Sequence, residues 1–303
     1  MELGMIGLGR MGGNMARRLV RGGHRVVGYA PRADSVRALA ADGVEGADSL
    51  AHLAAALRPP RTVWMMIPAG EPVDTTITGL APSLVAGDLL VDGGNSYYRD
   101  SQRRGADLAG SGVEYVDAGV SGGVWGLENG YGLMVGGSEA AIARLRPALE
   151  QLAPTADQGW AHLGPLGAGH FAKMVHNGIE YGMMQAIGEG FAVLEAKNEF
   201  GFDLAQVAEA WRHGTVIRSW LMDLTAAALT ADPAVEGLEA WVEDSGEGRW
   251  TAQEAIDLRV PIPVIAESLF ARFRSRRARN FSDRLLAALR AQFGGHAVRR
   301  GPP

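Results

Sequence analysis

The chain has 303 residues, of which 47% are hydrophobic and 21% charged, so it has enough apolar residues for two compact domains. Its formal net charge of -5 argues against a general nucleic-acid binder, and its lack of cysteine excludes disulfides, zinc–thiolate sites and cysteine nucleophiles. No apolar run approaches the roughly 20 residues that span a bilayer, and the first residues do not read as a secretory signal. We therefore expect a cytoplasmic protein without membrane or nucleic-acid partners.

In the first half, short apolar runs alternate with amphipathic stretches. The predicted strands are 1–6, 24–29, 61–67, 89–92, 113–118 and 132–135. The predicted helices between and after them are 12–22, 34–42, 72–80, 98–110 and 139–152. Strands and helices that alternate at this spacing indicate βαβ units, so we expect a doubly wound parallel sheet of the Rossmann type.

Beyond Gln158 we predict no strand, and the pattern becomes helical throughout. The longest predicted helix covers 170–198, and shorter ones follow at 203–213, 219–229, 251–258, 262–275 and 280–292. The fold class is therefore α/β followed by all-α. We expect a dinucleotide-binding Rossmann domain over 1–164, an all-helical substrate and dimerisation domain over 165–298, and a disordered tail over 299–303.

A Gly-x-Gly-x-x-Gly sequence from Gly7 to Gly12 directly follows the first predicted strand and opens the first helix. Gly7 permits a tight turn, Gly9 lets a pyrophosphate approach the backbone, and Gly12 lets the helix pack closely on the strand. The helix N-terminus adds free amides and a partial positive charge. The pattern predicts binding of a nicotinamide dinucleotide. The predicted cofactor-binding residues are Gly7, Leu8, Gly9, Arg10, Met11, Gly12, Ala30, Arg32, Ile67, Pro68 and Asn95.

The end of the second predicted strand bears on the choice between NAD and NADP. A carboxylate there would bind the ribose 2′-hydroxyl of NAD, whereas an arginine accommodates the 2′-phosphate of NADP. The residues present are Tyr29-Ala30-Pro31-Arg32, with no carboxylate at Ala30. This favours NADP, although Arg32 could also be a solvated loop residue.

The segment from Lys173 to Tyr181 carries polar residues at the spacing of one helix face: Lys173, His176, Asn177, Glu180 and Tyr181. Two helical turns separate Lys173 from Glu180, about 10 Å along the axis. That distance suits a small substrate between two proton-transfer groups, and a desolvated lysine has a lowered pKa and can act as a base. The alternative is a stripe of polar residues that simply faces solvent.

Three segments together resemble 6-phosphogluconate dehydrogenase: Asp-Gly-Gly-Asn-Ser at 92–96, Gly-Val-Ser-Gly-Gly at 119–123, and the helix face at 173–181. The first segment and the Lys–Asn pair recur across β-hydroxyacid dehydrogenases, whereas His176, Glu180 and Tyr181 point to the phosphogluconate branch. The resemblance covers 1–298. The chain is similar to the short form of the enzyme, which is often NAD-linked, and this opposes the NADP preference inferred from Arg32.

Downstream segments extend the resemblance. Gly248-Arg249-Trp250-Thr251 is similar to the family's Gly-Lys-Trp-Thr sequence, with Arg249 in place of the phosphate-binding lysine. Arg272 matches a second phosphate-binding position. The segment from Arg290 to His296 is similar to a C-terminal element that reaches the neighbouring subunit's site, so the resemblance implies a homodimer or homotetramer with a shared active site.

The resemblance also implies a reaction. Lys173 removes the proton of the substrate 3-hydroxyl while hydride leaves C3, the β-keto acid loses CO2, and Glu180 protonates C1 to give ribulose 5-phosphate. Asn177 is the third implied catalytic residue, and no metal is needed because a protonated lysine can stabilise the enolate oxygen. The implied substrate-binding residues are Asn95, Ser121, Gly122, Gly123, His176 and Asn177 for carboxylate and hydroxyls, Tyr181, Arg249, Arg272 and Arg290 for phosphate, and His296.

Two other functions stay open on the sequence. A 3-hydroxyisobutyrate-type dehydrogenase would share Lys173 and Asn177 but would not need the arginines and His296 together. A non-catalytic dinucleotide-binding protein that contacts a protein partner would typically lose the lysine, which this chain retains.

Overall fold

Eight strands form one sheet in the N-terminal half of the computed structural model, which describes residues 1–277, 279–294 and 297–299. The strands are β1 Glu2–Ile6, β2 Arg25–Tyr29, β3 Glu45–Ala47, β4 Thr62–Met65, β5 Leu89–Asp92, β6 Glu114–Ser121, β7 Gly132–Gly136 and β8 Trp160–Gly164. Their spatial order is β3-β2-β1-β4-β5-β6-β7-β8. Neighbouring strands are parallel except for β6 and β7.

Helices cover both faces of this sheet. They are α1 Arg10–Arg21, α2 Ala33–Arg37, α3 Leu50–Ala56, α4 Glu71–Leu80, α5 Tyr98–Ala109, α6 Gly126–Asn129 and α7 Glu139–Leu152. Successive strand residues enter two different apolar clusters: Leu3 and Met5 lie in one, and Ile6 in the other. Because adjacent strand residues point to opposite faces, the sheet is buried on both sides, as a doubly wound sheet requires.

The strand order reverses beside β1. The chain moves outward through β2 and β3, then returns to place β4 on the other side of β1. The register pairs Ile6 with both Tyr29 and Met65, so the carboxyl ends of three strands meet there. Ligands of open α/β sheets bind outside the carboxyl ends of the strands at such a switch point. The Gly7 turn begins at this position.

The remaining elements are helices: α8 Ala168–Ala196, α9 Leu204–Trp211, α10 Trp220–Ala231, α11 Glu247–Leu258, α12 Pro263–Ser275 and α13 Phe281–Gly294. Within them, α9 and α10 pack around Met222, and Phe191 meets Trp211 edge to face at 5.6 Å. Contacts divide the chain into two compact units, Met1–His176 and Asn177–Pro303. None of the helices in the described ranges is long and apolar enough to cross a bilayer.

The predicted fold class is confirmed, but three expectations about the sheet are wrong. A strand does follow Gln158, since β8 extends the sheet as a mostly exposed edge strand held by backbone bonds to β7. The sheet is not wholly parallel, because the connection 122–131 between β6 and β7 is shorter than the dozen or more residues that a parallel crossover needs. The short β3 was not predicted. The domain boundary at 164 stays a prediction, and 300–303 lie outside the described residues.

Candidate active site

The glycine turn of the N-terminal unit has the geometry of a dinucleotide site. Gly7 has φ +91°, and a methyl group added there would overlap the Met66 carbonyl oxygen and lie 2.7 Å from Ile67 Cγ2. A methyl group on Gly12 would overlap the Gly7 carbonyl oxygen, whereas one on Gly9 would meet nothing within 4 Å. Gly9 caps α1 without any side-chain hydrogen bond. This open space before an uncapped helix N-terminus fits a pyrophosphate.

The far end of the predicted cofactor site lies after β2. Ala30 is 9% exposed, and Arg32 is exposed at the start of α2. The nearest carboxylate on α2, Asp34, forms an ion pair with Arg37. Of the other predicted cofactor residues, Ile67 lies half-buried directly beneath the glycine turn, and Pro68 is exposed.

A buried carboxylate organises the loop that carries Asn95. Asp92, at the end of β5, is 0% exposed and accepts hydrogen bonds from Gly94 N at 3.1 Å and Ser96 Oγ at 2.7 Å. The Tyr115 hydroxyl donates to the same carboxylate at 3.1 Å, and Arg104 pairs with it at 3.4 Å. Burial and the Asp92 charge raise the pKa of Tyr115, which keeps it a donor. Asn95 is exposed at the tip of this loop. The Asp-Gly-Gly-Asn-Ser motif contains Asp92, but the motif alone predicts no role for this carboxylate.

Lys173 is the most deeply buried of the predicted catalytic residues. It is 6% exposed and lies on α8 against β6. A methyl group added to Gly119 of β6 would overlap Lys173 Cβ and lie 3.0 Å from Lys173 Cγ. The strand therefore needs glycine at 119 so that the lysine stem can lie against its backbone. Ser121, Gly122 and Gly123 follow at the end of the same strand.

The first turn of α8 is fixed to β6 by polar contacts. The Asp117 carboxylate accepts from Gly167 N at 2.7 Å and from His170 N at 2.6 Å. Burial raises the pKa of Asp117, an effect that these amides and the neighbouring His170 oppose. His170 Nδ1 also meets Ser101 Oγ at 2.7 Å. These contacts hold Lys173, one turn further along, in a fixed position.

Replacing Gly119 by alanine is expected to lower turnover about 10- to 100-fold, since small misplacements of a catalytic group have effects of this size. The added methyl group would push Lys173 off β6, and initial rates at saturating substrates measure the effect. Gly110→Ala is the matched control, because its methyl group meets nothing within 4 Å. A Gly119→Ala protein with normal turnover would show that the lysine position does not matter.

In the C-terminal unit, Asn177 and Tyr181 of α8 meet the segment that leads into α11. Asn177 Nδ2 donates to Glu247 Oε2, and Ser245 Oγ donates to the same oxygen at 3.2 Å. The Tyr181 hydroxyl lies 3.1 Å from Ser245 Oγ and accepts from Ser245 N at 3.2 Å. Asn177 is 8% exposed and Tyr181 4% exposed. On the same helix His176 is exposed and Glu180 half-buried, so the predicted polar face is not a uniformly solvated stripe.

One predicted phosphate-binding arginine stacks on Tyr181, and a second pairs with Asp244, whose Oδ1 atom lies 3.5 Å from the Tyr181 hydroxyl. The Arg272 guanidinium stacks 3.4 Å above the Tyr181 ring, and its Nη1 donates to the Glu243 carbonyl oxygen at 2.8 Å. Arg249 Nε pairs with Asp244 at 2.8 Å. The Asp244 carboxylate also accepts a hydrogen bond from Gly246 N at 2.9 Å, and the sequence did not predict this interaction. The structure thus brings Tyr181, Arg249 and Arg272 together.

The C-terminal predictions are only partly described. Arg290 is exposed on α13, and His296 lies outside the described residues. Within the described ranges, no three His, Cys, Asp or Glu side chains come together as a metal site would require.

Comparison with known proteins agrees with this geometry. The NAD-binding domain of 6-phosphogluconate dehydrogenase matches residues 2–161, and the C-terminal domain of 6-phosphogluconate dehydrogenase matches 169–288. The chain belongs to the 6-phosphogluconate dehydrogenase family. The resemblance drawn from the three sequence segments is therefore confirmed.

The relatives include proteins as long as this chain and proteins that are considerably longer. An NAD(+)-dependent, decarboxylating 6-phosphogluconate dehydrogenase of Haloferax volcanii is 44% identical over 301 residues, which are 99% of this chain and 99% of the relative. An NADP(+)-dependent one of Bacillus subtilis is 38% identical over 285 residues, 90% of this chain and 61% of the relative. The solved Plasmodium falciparum 6-phosphogluconate dehydrogenase superposes with a TM-score of 0.83 at 29% identity, covering 100% of this chain and 67% of that one.

Proposed function

We propose that this protein catalyses the oxidative decarboxylation of 6-phosphogluconate to ribulose 5-phosphate and CO2, with NAD or NADP as oxidant. The observation that carries the proposal is Lys173, a buried amine on the same helix as Glu180 and Tyr181. The two domain matches, over residues 2–161 and 169–288, support the substrate. A 3-hydroxyisobutyrate-type activity would not need Arg272, which stacks on Tyr181, or Arg249, which pairs with the neighbouring Asp244.

The nicotinamide, when bound, supplies the hydride acceptor. Lys173 removes the proton of the 3-hydroxyl as hydride leaves C3, and its ammonium then stabilises the carbonyl oxygen as the C1 carboxylate leaves as CO2. Glu180 delivers a proton to the carbon that was C2 of the substrate and is C1 of the enediol, which completes ribulose 5-phosphate. Asn177 orients the substrate, and Arg272 binds its phosphate.

Composition supports a chemical role for Lys173. Lys173 and Lys197 are the only two lysines in the chain, and arginine is used at all other lysine-or-arginine positions. Arginine is charged at every physiological pH, whereas a buried lysine can release its proton. Lys197 lies at the surface, where it pairs with Glu199. A buried lysine in a chain that otherwise uses arginine fits a group that must exchange a proton.

Steady-state kinetics with 6-phosphogluconate and either NAD or NADP test the proposed function. We expect formation of reduced cofactor and CO2 in equal amounts, and much weaker activity with 3-hydroxyisobutyrate. Absence of turnover with both cofactors would refute the proposal and favour a non-catalytic dinucleotide-binding protein.

We propose that Arg32 binds the 2′-phosphate of NADP. Arg32→Ala is expected to raise KM for NADP about 10- to 100-fold and to leave KM for NAD unchanged, because hydrogen bonds to charged groups contribute about 1.5–3 kcal/mol. Arg37→Ala on the same helix is the control, since Arg37 already pairs with Asp34. Equal effects on both cofactors, or wild-type efficiency that is equal or better with NAD, would contradict this assignment.

We also propose that the enzyme is a homo-oligomer with a shared site. Helix α13 exposes Phe281 (67%), Leu285 (45%) and Leu289 (50%), which recur every four residues along one side. Such an apolar stripe favours burial against a second copy, which would bring Arg290 close to a neighbouring subunit's substrate. Sedimentation velocity should give the mass of two or four chains; a fully active monomer would exclude the shared site.

A further inference from the structure

Glu247 is a buried carboxylate to which the reaction described above assigns no part. It is the first residue of α11 and is 2% exposed. Its Oε2 atom accepts from Asn177 Nδ2 and from Ser245 Oγ. Burying a carboxylate is costly unless it is hydrogen-bonded, so these contacts stabilise it where it lies. The position also allows a simpler role, because a negative charge at a helix N-terminus is favourable by itself.

The charge of Glu247 determines which way the neighbouring groups point. An ionised carboxylate can only accept hydrogen bonds, so the Asn177 atom that faces it must be the amide nitrogen. The Asn177 oxygen is therefore on the side away from Glu247. The single proton of the Ser245 hydroxyl is likewise directed to Glu247, so in its 3.1 Å contact with the Tyr181 hydroxyl Ser245 Oγ can only accept. Asp244 Oδ1, at 3.5 Å, is a second acceptor for the Tyr181 proton.

We propose that Glu247 is a positioning residue that acts through Asn177. It orients the Asn177 amide so that its oxygen accepts a hydrogen bond from a substrate hydroxyl. An unrestrained asparagine could turn by 180° and present its nitrogen instead, which would not accept from a hydroxyl. The same hydrogen-bond chain continues through Ser245 to Tyr181, beside the arginine that binds phosphate. This inference rests on the proposed function.

A double-mutant cycle tests the proposal on the full-length protein. Glu247→Gln removes the charge that sets the amide direction, and we expect kcat for 6-phosphogluconate to fall about 10- to 100-fold. KM should change less than kcat, because the phosphate-binding residues are untouched. In an Asn177→Ala background, Glu247→Gln should lower kcat by less than about twofold, since the residue through which it acts is gone. Additive losses in the double variant would overturn the proposal.

Glu247→Asp separates positioning from simple charge at the helix N-terminus. Aspartate preserves the charge, but its side chain is one methylene shorter and cannot reach Asn177 in the same way. We expect a loss of kcat close to that of Glu247→Gln with a near-wild-type Tm. Full activity of Glu247→Asp would assign Glu247 to helix stability and overturn the proposal. Glu267→Gln, an exposed glutamate on α12, controls for loss of one charge.

The Asn177 side-chain amide resonance provides a readout that needs no turnover. It is assigned from its absence in the Asn177→Ala spectrum, and it should shift in both Glu247 variants. If the wild-type protein does not turn over 6-phosphogluconate, the proposed function fails by itself. An amide resonance that is unchanged by Glu247→Asp and Glu247→Gln would overturn the positioning role independently.

Discussion

Lys173→Met is expected to lower kcat for 6-phosphogluconate about 10²- to 10⁴-fold, the range that a positioned acid–base group contributes. Methionine fills the same space beside Gly119 but can neither remove the 3-hydroxyl proton nor stabilise the enolate oxygen. KM for both substrates should stay within a few-fold, because the glycine turn and the arginines are unchanged. Steady-state kinetics with each substrate varied measure both effects.

Lys197→Met is the matched control because it removes the only other lysine, which pairs with Glu199 and lies 5.4 Å over the Phe200 ring at the surface. It should retain wild-type kcat. The Tm of Lys173→Met is measured beside its kinetics, so that a loss of activity is separated from a loss of folding. A Lys173→Met protein that is folded and more than one-tenth active would remove the lysine from the mechanism.

Periodicity in the sequence was sufficient to predict most of the fold. Strands such as β1 and β5 consist mostly of consecutive apolar residues that are buried, and that pattern is typical of a sheet covered on both faces. Strand β8 was missed because three of its five residues are exposed and its stability comes from backbone bonds to β7, which leave no trace in residue type. The antiparallel direction of β7 follows from the length of the connection 122–131, and residue periodicity carries no information on strand direction.

The candidate site was predictable to a smaller extent. Lys173, Asn177 and Tyr181 could be found because helical spacing places them on one face. The carboxylates that hold these residues, Asp117 and Glu247, could not be found in this way. Glu247 lies 70 positions from Asn177, and the Asp117 contact to His170 spans 53 positions. Pairing over such separations is created by the tertiary fold, and local sequence patterns contain no information about it.

Arg272→Ala is the second variant for which a large effect is expected: KM for 6-phosphogluconate should rise about 10- to 100-fold, because a charge-assisted bond to phosphate contributes about 1.5–3 kcal/mol. The side chain is held in place by stacking 3.4 Å over Tyr181 and by its bond to the Glu243 carbonyl oxygen. A planar guanidinium fixed on both sides needs little further ordering to bind a phosphate. KM for the dinucleotide should not change.

Arg274→Ala is the control for Arg272, since it lies on the same helix and pairs with Asp283 in an exposed position. Non-phosphorylated gluconate sharpens the test. If Arg272 binds the phosphate, the wild-type enzyme should have a much higher kcat/KM for 6-phosphogluconate than for gluconate. Arg272→Ala should reduce that ratio by the same factor by which KM for 6-phosphogluconate rises. A preference that persists unchanged in Arg272→Ala would assign phosphate binding to other residues, with Arg249 as the next to replace.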